Sequence, residues 1–268
     1  MEIEITKRST VIKTVFYILG SLLMLFMIYY AVMSMLSPAR GIAAINSEYS
    51  YKAPENSKVD ERVLGDSAFI SNHIEQSFYQ ARVLMAESDS ICLALNISDS
   101  TAILELNGVP VYKAKISEIA VSKVFRKANE YSVTAMLATP FTVGNDYSTI
   151  RKEPVMIKLA PKDTSEYKPD ILPDTTNSEA VNYVFEMVNG TRLYVYQNVG
   201  ENKGGGLSFF IFDLTDRLRN IRQNLKSLIA LKVPEYHPSI KIRMTKDDAK
   251  IIYRALPKHG LIAVYGKL

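Results

Sequence analysis

The sequence predicts an α+β chain, mainly β with flanking helices, standing behind one N-terminal transmembrane helix. Three observations predict it. Residues 14–36 carry no charge, and the apolar period changes from helical to extended near Ile91. Two Asn-Gly pairs, Asn107-Gly108 and Asn189-Gly190, interrupt extended runs, where a tight hairpin needs residues that take positive φ cheaply. With 47% hydrophobic and 22% charged residues, the chain has enough apolar material to exclude disorder as a whole. Basic residues number 32 against 28 acidic, an excess too small and scattered to point to nucleic acid. A single cysteine excludes an intramolecular disulfide, and with only three histidines little is left for a metal site, so no cofactor is expected.

At about 1.5 Å per residue, residues 14–36 span roughly 30 Å or a little more, the thickness of a bilayer core. The run is apolar on every face, so a soluble helix of this composition would need a core all round it. Tyr17 near one end and Tyr29 and Tyr30 nearer the other suit interfacial anchoring. Lys7, Arg8 and Lys13 precede the run and only Arg40 comes closely after it. The positive-inside rule therefore makes residues 1–13 a cytoplasmic tip and exports the chain beyond the span. The run is longer than the roughly 7 to 15 apolar residues of a secretory signal, which favours an uncleaved anchor.

Residues 37–64 show no apolar period and read as a linker. Phe69, Ile70, Ile74, Phe78, Ala81, Leu84 and Met85 then recur at spacings of three and four, so residues 65–88 read as an amphipathic helix. Beyond it, residues 90–268 read as one exported domain. Its extended runs are 91–97, 102–106, 109–116, 132–143, 155–159, 182–188, 192–197 and 207–212. Gly204-Gly205-Gly206 reads as a flexible loop. Leu214, Leu218, Ile221, Leu225, Leu228 and Ile229 form a helical stripe, with Arg217, Arg219, Arg222 and Lys226 on other surfaces. Thr245-Lys246-Asp247-Asp248 has the form of a capping box for a last helix that stops at Pro257, before a strand over 261–265.

Two blocks resemble the L,D-transpeptidase (YkuD-like) domain of bacterial cell-wall enzymes. One opens with Leu93-Ala94-Leu95-Asn96-Ile97 and runs through Asn107-Gly108 to Val111, similar to the strand, corner, strand, Asn-Gly turn and strand that begin the family's domain. The other, Ile242-Arg243-Met244 followed by the capped helix to Pro257, is similar to the family's end. What the resemblance implies for chemistry is mostly negative. The family places Ser-His-Gly-Cys before its I-R-M tripeptide, the cysteine being the acyl nucleophile and an upstream histidine its base. Here Pro238-Ser239-Ile240-Lys241 stands there, with Lys241 at the nucleophile's place. The upstream histidine element has its counterpart in Tyr194-Val195-Tyr196-Gln197. Tyr196, His237, Ser239, Lys241 and Arg243 are thus the degenerate corner, with no catalytic residue carried over.

Other candidates have plainer readings beside the functional one. Cys92 fits a core position on its strand. Ser239 and Lys241 would share a strand face, the one feature in favour of a Ser-Lys dyad. His73 and His259 read as structural, and Asp247 and Asp248 as first-turn acids that complement the helix dipole. Asp163, Glu166, Asp170 and Asp174 read as a loop. Arg217, Arg219, Arg222 and Lys226 could meet lipid headgroups, wall phosphates or an acidic partner, or be the solvated face of a domain helix. Three functions remain open at this point. The first is a non-catalytic protein of the bacterial inner membrane, with a periplasmic domain that binds peptidoglycan or an envelope protein partner, and with the lipid bilayer met through residues 14–36. The others are an active wall transpeptidase or hydrolase with a relocated site, and a structural subunit of an envelope-spanning machine.

Overall fold

The computed structural model describes residues 2–52, 66–152, 180–198 and 205–268. The charge-free run lies within one helix, α1 (Glu2–Glu48), which overruns the boundary expected for the linker at residue 37. Pro38 sits inside it and removes one backbone hydrogen bond, but packing offsets that loss. Ser37 and Ile45 are buried. Between them, a Cβ added to Gly41 would meet Tyr236 Cβ at 3.3 Å, and Asn46 Oδ1 accepts from the backbone N–H of Asn129 at 2.8 Å. Residues 37, 41 and 45 recur every four, a helical period that hydropathy conceals because Ser and Gly fill two of the places. Residues 53–64 of the expected linker lie outside the described residues.

Helix α2 (Ser67–Ala86) starts where Asp66 Oδ2 accepts from the Phe69 N–H at 3.3 Å. It buries Ile70, Ser77, Ala81 and Met85, while Leu84, expected on that face, is exposed.

Among the described residues eight strands come next: β1 (Ile91–Asn96), β2 (Thr101–Leu106), β3 (Val109–Val121), β4 (Phe141–Ser148), β5 (Asn182–Met187), β6 (Arg192–Gln197), β7 (Ser239–Met244) and β8 (Leu261–Tyr265). They close into a barrel in the order β1-β2-β3-β7-β6-β5-β4-β8. β1 with β8 and β6 with β7 run parallel, and the other neighbours antiparallel. Asn107 (φ 50) and Gly108 (φ 78) are both left-handed, the conformation that lets a two-residue turn follow the strand twist between β2 and β3. Alternation sends Leu93, Leu95, Leu193, Val195, Ile240 and Ile242 into one core. Helix α6 (Lys246–Ala255) closes one end of that core with Ala249, Ile252 and Tyr253. Its expected cap is present, Thr245 Oγ1 accepting from the Asp248 N–H at 3.2 Å.

Two expected strands need correction. Residues 132–143 are not one strand. After α3 (Lys123–Lys127), α4 (Glu130–Leu137) occupies most of them, and the strand begins only at Phe141. Asn129 Oδ1 accepts from the backbone N–H groups of Tyr131 and Ser132, and this cap starts a turn whose Val133, Met136 and Leu137 reach the core. Residues 207–212 are helical as well, being part of α5 (Gly205–Ile229), which also takes Gly205 and Gly206 out of the expected loop. Among the described residues helix exceeds strand over the chain as a whole because α1 and α2 are long, while from Ile91 onward strand exceeds helix, so the chain is α+β with a β barrel as its body. The expected strand at 155–159 and the acidic residues at 163, 166, 170 and 174 lie outside the described residues.

Candidate functional site

The corner singled out by the sequence lies where β6 and β7 run side by side. Their register pairs Arg192 with Ser239, Tyr194 with Lys241 and Tyr196 with Arg243. Leu193, Val195, Ile240 and Ile242 face inward, so strand alternation puts these three pairs on the outside. Helix α5 lies across the β6 part of that face, antiparallel to the strand. Phe209 and Phe212 meet Tyr196 edge-on with centroids at 5.1 and 6.3 Å. Further along, Asp216 meets Tyr194, and Asn220 and Gln223 meet Arg192.

These contacts make a buried charged network. Tyr194 Oη donates to Asp216 Oδ2 at 2.8 Å, and Asn220 Nδ2 donates to the same oxygen at 3.1 Å. Arg219 donates to the other Asp216 oxygen. Arg192 donates to Asn220 and, at 3.3 Å, to Gln223 Oε1. Its Nη2 also lies 2.9 Å from Glu186 Oε1, an oxygen that Arg219 approaches at 3.6 Å. The Arg219 guanidinium stacks over Tyr147, 3.4 Å from the ring centroid. Arg192 and Asp216 are only 4% and 6% exposed. Two arginines face two carboxylates, so the cluster balances its own charge and has no cation left over for an anionic ligand. Burial raises Tyr194, and the neighbouring Asp216 carboxylate raises it further, to about 12. Tyr196 rises too, from burial first and the charge of Asp213 second.

At the corner expected from the sequence, Lys241 is exposed, with its Nζ 5.1 Å above the Tyr194 ring. Ser239 shares its face as the spacing predicts, but no hydrogen bond joins the two. Arg243 is a clamp. Its Nε lies 3.0 Å from Glu118 on β3, and its guanidinium lies over Tyr196 and Phe209. His237 Nδ1 is 3.0 Å from the Gly190 carbonyl; a carbonyl only accepts, so this nitrogen carries the proton. His237 lines a polar cleft of about 460 Å³ with Glu235, Asn145, Gln223, Glu186 and Arg192. The cleft can hold a small polar group, and it contains no thiol. Cys92, on β1 three places from β7 around the barrel, is 2% exposed beneath Ala81 and Met85.

The basic surface of α5 does not hold together. Arg217, Arg222 and Lys226 are exposed, with Arg217 paired to Asp213 at 2.7 Å, whereas Arg219 is turned into the network. The apolar stripe behaves unexpectedly too. Leu214, Leu218, Ile221, Leu225 and Ile229 all face outward, and only Leu228 of that stripe is buried. Asp216, Arg219, Asn220 and Gln223, spaced three and four apart, form the face that meets the barrel. That polar spacing, together with Glu186 and Arg192 in otherwise apolar strands, was the signal in the sequence for the network. His73 stacks on Tyr131 at 4.8 Å, and His259 Nδ1 lies 3.2 Å from the Val143 carbonyl. Asp248 is engaged by Tyr112 and Thr245. Among the described residues no group of His, Cys, Asp and Glu could hold a metal ion.

No protein-family model matches the chain, and no curated protein matches it. A solved structure described as the "Ldtfm-avibactam carbamoyl enzyme" is similar at 12% identity over 68% of this chain, with a TM-score of 0.29. The match spans 50% of that structure's chain. Likeness at that level leaves the chemistry to be argued from this chain's own residues.

Proposed function

We propose that the chain is a single-pass protein of the bacterial inner membrane whose C-terminal barrel is exported to the periplasm. There it binds peptidoglycan or an envelope protein partner without catalysing a reaction. The protruding helix supports the anchor. The stretch Lys13–Glu48 is long and apolar enough to cross a membrane. Phe16, Leu19 and Leu22 are 77%, 68% and 66% exposed, apolar area that lipid would cover.

The observation that carries the non-catalytic half is the exposed amine of Lys241 at the place of the family's nucleophile. The only thiol in the sequence is buried on another strand, and acyl transfer through a thioester needs an ionisable, accessible sulfur beside a base. The cleft beside His237 and Glu235 supports binding of a small polar group, such as a peptide branch of the wall. Two measurements on the full chain in detergent test the reading. Incubation with a carbapenem, followed by intact-mass spectrometry, should show no adduct. Co-sedimentation with purified peptidoglycan should retain the protein and should weaken in His237→Ala. A stoichiometric adduct that disappears in Cys92→Ser would sink the non-catalytic reading, and absence of retention would leave only a protein partner.

A further inference from the structure

We infer that the C-terminal turns of α5 and the corner after them, residues 221–232, sit in the outer leaflet of the bilayer as a second membrane contact beside α1. The inference rests on the reading of residues 14–36 as the span. Tyr29, inside that run, donates its hydroxyl to the Leu228 carbonyl at 3.2 Å, and Leu228 is 1% exposed. Tyr29 precedes the end of the run by seven residues, about 10 Å of helix. Leu228 therefore lies no higher than the headgroup boundary, whether Tyr29 marks the interfacial belt or lies beneath it.

The side chains at that level suit such a depth. Ile221, Leu225, Ile229 and Leu231 are 47%, 37%, 73% and 79% exposed, and nothing else in the described chain covers them. Arg222, Lys226 and Lys232 are exposed around them, long enough to extend their charges to lipid phosphates while their stems stay in the apolar layer.

The way α5 ends is a second, independent observation. The Leu231 N–H donates to the Leu228 carbonyl, and the Lys232 N–H to the Ser227 carbonyl, each at 2.9 Å. Leu231 has φ 54. This is a Schellman ending, in which the left-handed place ordinarily goes to Gly. A leucine there carries a steric cost and, in water, also exposes its side chain; in lipid that side chain is buried. The same ending leaves the Leu228 carbonyl accepting from both Leu231 and Tyr29, the satisfied backbone that a low-dielectric layer requires. α5 runs antiparallel to β6, from Tyr196 past Arg192 toward Tyr29, so Leu207 and Phe210 in its first turns stand about 30 Å of helix from the Leu228 contact.

The chain contains no tryptophan, so single-tryptophan variants report one site each. The full chain is reconstituted into vesicles of phosphatidylcholine and phosphatidylglycerol, with and without brominated acyl chains. Ile229→Trp and Leu225→Trp should emit at shorter wavelength than Leu207→Trp and lose at least half their emission in brominated vesicles, while Leu207→Trp loses little. Leu22→Trp, in α1, serves as the anchor control. Quenching at Leu22→Trp with none at Ile229→Trp and Leu225→Trp overturns the inference and leaves the anchor standing. Absence of quenching at Leu22→Trp overturns the anchor and the inference with it. A blue-shifted Ile229→Trp that bromine does not quench, and that reverts on dilution of the protein in the bilayer, overturns it in favour of a second copy on this face.

Discussion

Tyr194 and Asp216 join the barrel to the helix that covers it, the phenol donating to the carboxylate at 2.8 Å with both residues almost wholly buried. The carboxylate also balances Arg219 and holds Asn220, which in turn accepts from Arg192. Removing it leaves buried cations without their counter-charge, a change that costs about 3 to 5 kcal/mol in comparable sites. Asp216→Ala is therefore expected to lower the melting temperature of the full chain in detergent by on the order of 10 °C. Asp216→Asn, which keeps an oxygen for Tyr194, should lose less. Equal melting of wild type and Asp216→Ala would mean that α5 is not held by this network.

Alkaline pH should act through the same residue. Tyr194 is raised from an ordinary value of 10.0 to about 12, and Tyr112, beside Asp248, likewise. Below about pH 10 both phenols are protonated in the folded and unfolded chains, so they add no slope. Between about 10 and 12 the unfolded chain releases protons that the folded chain keeps, and stability falls as pH rises. The melting temperature should be flat from neutral pH to about 10 and then drop, with a shallower drop in Tyr194→Phe. A drop that is as steep in Tyr194→Phe would assign the effect to other tyrosines.

The parts of the fold that were legible are those where the local pattern has a single solution. The run from Ile91 to Val111 alternates and carries an Asn-Gly turn whose two residues both take positive φ. The stretch from Ile242 to Tyr265 carries a cap, a helix stop and a strand in order. Residues 132–143 and 207–212 are short apolar runs that fit either period, and partners elsewhere decide them: Asn129 as a cap, and the Tyr194 and Tyr196 rings for Phe209 and Phe212. The site followed the same division. Strand alternation was enough to put Ser239, Lys241 and Arg243 on one face. Which side of α5 meets the barrel was illegible from hydropathy, because a polar face docks on a polar network while the apolar face points away.

Gly41 tests the unexpected extension of α1. An added methyl would raise helix propensity by up to about 1 kcal/mol, but it would also press on Tyr236 at 3.3 Å. The two effects oppose each other in Gly41→Ala, which should change stability little. Gly41→Val adds more bulk against the same ring with a smaller helical gain, and should make the junction near residues 37–48 a new site of limited proteolysis. Unchanged cleavage in Gly41→Val would place the helix clear of the barrel in solution.

Cys92 should behave as a packed core residue. Its sulfur lies 3.3 Å from Ser88 Oγ within a cluster of Ala81, Met85, Ala94 and Ala263. A thiol reagent should leave it unmodified in the folded chain and modify it fully after denaturation. Cys92→Ser places a hydroxyl among apolar neighbours with Ser88 as partner, and should cost about 1 kcal/mol while leaving binding intact. Rapid labelling of the native protein would show that α2 lifts from β1.

The corner at Lys241 can be tested by placing a sulfur there. In Lys241→Cys the thiol would stand on the outer face of β7, over the Tyr194 ring where the ammonium now lies. Activation needs a base or a positive potential within hydrogen-bond reach. The nearest histidine in sequence, His237, lies before β7 and already commits its Nδ1 proton to the Gly190 carbonyl, while Arg243 is held by Glu118 and stacked on Tyr196 and Phe209. The new thiol should therefore alkylate readily, because it is exposed, but with a pH profile centred near the ordinary thiol value of about 8.5. It should also form no carbapenem adduct. A profile shifted well below that value, or acylation of Lys241→Cys that is lost on adding His237→Ala, would show that the corner holds an activating environment for a thiol.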